Sequence, residues 1–98
     1  MSEEHKSPRK YVYVKYVGRT AVMTGRVREA LDITGTQDIA GVLDRLEAAY
    51  PGFMNVYNPP DGMFNQNTAI ICRRKGYPSF SIVDPETLIK EGDVLTFW

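Results

Sequence analysis

Only one cysteine, Cys72, and one histidine, His5, occur in this chain. A lone cysteine forms no internal disulfide and has no second thiol with which to build a zinc knuckle. A disulfide scaffold is therefore excluded, and a reducing, intracellular compartment fits. With His5 as the one imidazole, no nucleophile–base pair is assured for Cys72. Excess charge is missing as well. Twelve Lys and Arg against twelve Asp and Glu leave a net charge of zero and a pI near 6.6. No long-range field would gather polyanions, so neither nucleic acid nor an anionic membrane is an expected partner. Long apolar runs are absent too. No segment approaches the ~20 apolar residues of a membrane span, and the N-terminus has no apolar stretch of signal-peptide length. The expectation is a soluble cytoplasmic protein. Gly18 and Gly25 bracket a short segment, but no Gly-Lys-Ser/Thr follows them, so a phosphate loop is not expected. No metal-spacing motif appears either. The chain reads as a non-enzyme with no catalytic residue, cofactor or metal.

What is present is enough for one domain. At 98 residues and 11.1 kDa the chain can form a single core. A domain of this size buries only about two thirds of its unfolded surface, so most apolar residues are needed for packing. Residues 1–10 (MSEEHKSPRK) are polar, mixed in charge and broken by Pro8, and read as a disordered lead-in to a domain over 11–98. His5 lies inside it and is assigned no role.

Tyr11 to Val17 is β-branched or aromatic except at Lys15, the composition of a strand. Alternation places Val12, Val14 and Tyr16 on one face and Tyr11, Tyr13 and Lys15 on the other. Because Lys15 prefers water, the first set faces the core. Arg19 to Thr24 has room for one helical turn, with Val22 or Met23 pointing inward. A second strand follows, in which Val27, Glu29, Leu31 and Ile33 alternate with Arg26, Arg28, Ala30 and Asp32. Thr36 is placed to cap a helix, with Asp38 in its first turn. Ile39, Val42, Leu43, Leu46 and Tyr50 form one helical stripe, with Asp44, Arg45 and Glu47 facing out, and Pro51-Gly52 stops it.

Residues 51–67 show no period and are long for a connection in a small domain. They carry Phe53, Met54, Val56, Tyr57, Met63 and Phe64, which either fold back over one end of the core or form an exposed adhesive patch. Thr68 to Arg73 is a third strand, and Cys72 in its apolar centre reads as a small buried hydrophobe. Tyr77 to Val83 is a short fourth strand. Gly92-Asp93 launches the last one, with Leu95 and Phe97 inward and Thr96 outward. The order β-β-α-β-β-β predicts an α+β fold: a mixed sheet of about five strands with one helix packed across one face. That is the ubiquitin-like β-grasp.

Three stretches carry a more specific resemblance. Val14 to Val17 with Gly18, the turn to Gly25-Arg26 and the strand after it resemble the opening of small sulfur-carrier proteins. That group includes the small subunit of molybdopterin synthase and the sulfur carrier of thiamine biosynthesis. Thr36 to Ile39 with Leu43, Leu46 and Tyr50-Pro51-Gly52 resembles its helix and helix stop, and Leu88 to Leu95 the approach to its last strand. In that family a Gly-Gly tail beyond the strand is adenylated by an activating enzyme and converted to a thiocarboxylate. The sequence reads to Trp98 without a matching stretch, so the resemblance carries over no functional glycine. Two expectations follow. One is a protein-binding module or subunit without chemistry of its own. The other is a sulfur carrier whose tail is missing from this chain.

The resemblance implies a protein partner, either a larger synthase-type subunit or an activating enzyme, and a homodimer is the other association considered. The residues expected to meet it are Tyr11, Tyr13, Thr96 and Trp98 on the outer sheet face, with Phe53, Tyr57 and Phe64 of the long loop at its rim.

Overall fold

The computed structural model describes residues 9–57 and 69–98. Residues 1–8 of the expected lead-in, 58–67 of the expected loop, Phe64 among them, and Thr68 of the expected third strand lie outside the described residues, as do the side chains of Val56 and Tyr57. In chain order the elements are β1 (Tyr11–Tyr16), α1 (Arg19–Thr24), β2 (Arg28–Asp32), α2 (Ile39–Ala49), α3 (Met54–Tyr57), β3 (Ile70–Arg73), β4 (Phe80–Ile82) and β5 (Val94–Phe97). The strands form one mixed sheet in the order β2-β1-β5-β3-β4. β1 and β5 run parallel, and the other neighbours are antiparallel. Bringing the first and last strands side by side in parallel requires a crossover, and the segment containing α2 supplies it.

The alternation of β1 fixes which face is covered. Val12, Val14 and Tyr16 are buried with Ile70, Cys72, Ile82, Leu95 and Phe97 on one side of the sheet. The α2 stripe of Ile39, Val42, Leu43 and Leu46 completes that core. The fold is the ubiquitin-like β-grasp expected from the element order.

Several local expectations change. Asp38, not Thr36, is the N-cap of α2: its extended backbone leaves the carboxylate free to accept the Gly41 N–H at 3.0 Å. Met23 packs against the core while Val22 faces solvent. Val27 is exposed, because it lies past the end of the β1–β2 ladder, where Lys15 pairs with Arg28. Arg45 and Glu47 do not simply face out. Arg45 reaches back to the Asp32 carbonyl at 2.7 Å.

Glu47 accepts the N–H groups of Gly52 and Met54 at 2.9 and 2.7 Å. That carboxylate organises the chain reversal after α2, where Gly52 adopts a φ of 99° that strains any other residue. The reversal drops Phe53 into the core. Its ring stands edge-on to Tyr16 and Phe97, with centroids 6.2 and 5.6 Å away. Of the two readings left open for the loop aromatics, Phe53 takes the inward one.

Candidate functional site

α2 covers one face of the sheet, and strand parity specifies what lies on the other. Tyr11, Tyr13 and Lys15 point outward from β1, opposite Asp32, Ala30 and Arg28 of β2. On the other flank, Tyr13 and Lys15 register with Val94 and Thr96 of β5, which register in turn with Arg73 and Ile71 of β3. Trp98 continues the parity of Val94 and Thr96, with its N–H on the Ala69 carbonyl at 3.0 Å. The open face thus carries an aromatic and aliphatic centre with cations around it. Tyr13 is 53% exposed and Trp98 54%, while Tyr11, at 38%, is more covered.

Four of the residues expected from the sequence, Tyr11, Tyr13, Thr96 and Trp98, are brought together on this face. Phe53 is not among them. It is fully buried on the opposite side of the sheet and cannot form a rim. A pattern-based reading misses it because Pro51-Gly52 looks like a stop that releases the chain. The available signal was Glu47, an acid one turn before that stop and able to reach the N–H groups beyond it. Ala30, Val94, Ile71, Arg28 and Arg73 join the face through strand order, which sequence alone does not specify.

Between β1 and β2 the face is indented by a trough of about 390 Å³, lined by Tyr13, Lys15, Arg28, Ala30 and Val94 with the backbone neighbours Val14 and Glu29. Glu29 supplies no negative charge to the trough. Its carboxylate accepts the hydroxyl hydrogens of Tyr16 and Tyr50, the latter at 2.7 Å. Burial, and then the Glu29 charge, pushes both phenol pKa values up, so these hydroxyls stay protonated donors. Asp32, the acid of the open-face set, is engaged by Arg9 at 2.8 Å and by the Thr34 N–H at 2.8 Å.

The rest of the described chain offers little chemistry. Cys72 is buried, and desolvation followed by the nearby Asp93 charge pushes its thiol up to about 11, so it is no nucleophile at neutral pH. No group of three or more potential metal-ligating side chains gathers among the described residues. No helix among them is long and apolar enough to cross a membrane.

No protein-family model matches this chain. No curated protein matches it either. Solved structures do match, at the level of fold. The crystal structure of Haloferax volcanii small archaeal modifier protein 1 superposes with a TM-score of 0.66 at 17% identity, over 90% of this chain and 94% of that one. The solution structure of the Haloferax volcanii HVO 2177 protein gives 0.70 at 15% identity, over 94% and 84%. The solution structure of small archaeal modifier protein 1 from Methanosarcina acetivorans gives 0.63 at 18% identity, over 93% and 93%. At such identities the likeness establishes the class, a ubiquitin-like β-grasp protein, through its architecture.

Proposed function

We propose that this chain is a protein-binding module without catalysis of its own, docking a larger protein through the open face of its sheet. The observation that carries this reading is the exposure of Tyr11, Tyr13 and Trp98 on the face that α2 leaves uncovered. A half-covered antiparallel-type sheet ordinarily turns polar residues to water. Large aromatics there favour association, and tyrosine and tryptophan are the residues most enriched at interface hot spots. The fold likeness to proteins named as modifiers supports a role exercised on or through another protein.

A photo-crosslinking amino acid placed at position 13, with a control at the exposed helix position 48, tests the reading in cells. Discrete adducts from position 13 and none from position 48 are expected. Equal labelling from both, or none from position 13, would contradict it.

The second reading is a sulfur carrier for molybdopterin, thiamine or a related biosynthesis. It is supported by the fold and by the resemblance of the Leu88 to Leu95 stretch. Incubation with a carrier-activating enzyme, ATP and a sulfur donor, followed by intact-mass spectrometry, separates the two. Exchange of one oxygen for sulfur favours the carrier.

A further inference from the structure

The charges on the open face are arranged against the stability of the free protein. Lys15 and Arg28 stand directly opposite each other across the antiparallel β1–β2 pair. Like charges in that position are destabilising, because the two side chains emerge from neighbouring strands only about 5 Å apart. Arg73 extends the positive field on the far side of Val94. The ion pairs of the described residues engage Arg9, Arg26, Arg45 and Arg74, and none reaches Lys15, Arg28 or Arg73. A chain with zero net charge therefore presents three cations on this face, while the one acid placed there, Asp32, is already engaged by Arg9 and Arg45. The Lys15–Arg28 pair sits at the wall of the trough that Tyr13, Ala30 and Val94 line.

Building on the docking reading above, we propose that the partner presents an acidic segment to this face. Its carboxylates meet Lys15, Arg28 and Arg73, while one apolar side chain enters the trough beside Tyr13. Charge complementarity selects this occupant over a second copy of the chain. A two-fold contact through the open face would set the same cations against themselves. An anionic segment would instead relieve the repulsion that the free protein tolerates.

The probe is a short fluorescein-labelled peptide rich in glutamate with one central leucine. It is compared with the same peptide carrying lysine for glutamate and with an oligothymidine strand. The glutamate peptide should bind, shift the amide resonances of Tyr13, Lys15, Arg28 and Ala30, and weaken as salt is raised. Lys15→Glu should weaken it roughly tenfold while the melting temperature holds or rises, because position 15 then attracts Arg28. That stability readout separates lost binding from lost folding.

Equal binding of both peptides, or indifference to Lys15→Glu, would overturn the proposal. So would tighter binding of oligothymidine at the same residues, or concentration-dependent self-association through them. If position 13 crosslinks a partner in cells but the glutamate peptide fails, the acidic class is wrong and the docking reading stands. If the peptide binds as described but position 13 yields no adduct, the acidic preference stands and the cellular docking reading falls.

Discussion

Arg74 grips Asp93 through two nitrogens: Nε lies 2.9 Å from one carboxylate oxygen and Nη2 2.7 Å from the other. Asp93 is 1% exposed at the start of β5, and it also accepts the Lys90 N–H at 2.8 Å. The guanidinium in turn lies over the Phe80 ring, 5.4 Å from its centroid. The pair thus ties the β3–β4 turn to the launch of the last strand, which supplies Leu95 and Phe97 to the core, the Phe97 ring 6.4 Å from that of Tyr16.

Removing the cation leaves a buried carboxylate unmatched, so Arg74→Ala should cost about 3–5 kcal/mol in chemical denaturation. The pH dependence has a defined sign. Burial alone would raise the Asp93 pKa, but the Arg74 hydrogen bonds and the Lys90 N–H outweigh it and hold the carboxyl below its ordinary value. A group depressed in the folded state stabilises fully above its unfolded pKa of about 4, and the contribution is lost as pH falls through the folded value. Stability should therefore fall below about pH 4, and Asp93→Asn should flatten that fall. An acid limb unchanged in Asp93→Asn would contradict the assignment.

Phe53 should behave as core, not as a surface anchor. Phe53→Ala empties a space between Tyr16 and Phe97 and should cost about 3–5 kcal/mol. A change within about 0.5 kcal/mol, typical of surface positions, would place the ring outside the core.

Gly41 is a helical position where glycine is required by a neighbour. A Cβ there would sit 2.3 Å from the Thr36 methyl carbon. Gly41→Ala should lose about 1–2 kcal/mol, overpacking outweighing the helix preference for alanine. Adding Thr36→Ser removes the methyl, and the double variant should recover about 1 kcal/mol of that loss. Strict additivity of the two changes would show that they do not meet.

Cys72 should resist thiol reagents in the native state. Its burial and its thiol pKa of about 11 both suppress the thiolate at neutral pH. Labelling should proceed at the rate at which denaturant exposes the site, and fast native labelling would contradict its placement.

How far the sequence could be read depended on the range of the interaction involved. Parity within β1 places Val12, Val14 and Tyr16 inside and Tyr11 and Tyr13 outside, because a strand's alternation is local. The α2 stripe from Ile39 to Leu46 was legible for the same reason. Asp38 takes the capping role expected of Thr36, because both are good caps and only the backbone at Asp38 decides between them. Phe53 was not legible, since Glu47 holds the reversal through backbone groups that show no side-chain pattern. The open face was half legible. Its β1 residues follow from alternation, but placing Arg73 and Ile71 beside them needs the order of strands that only the assembled sheet provides.

Whether the open face is the binding surface can be read from one affinity comparison. Take the partner captured from position 13 and measure its Kd for the unmodified chain and for the Tyr13→Ser, Trp98→Ser variant. The loss should exceed about 1 kcal/mol, roughly fivefold or more, with the melting temperature little changed because both residues are about half exposed. Equal affinities for the two proteins would contradict it.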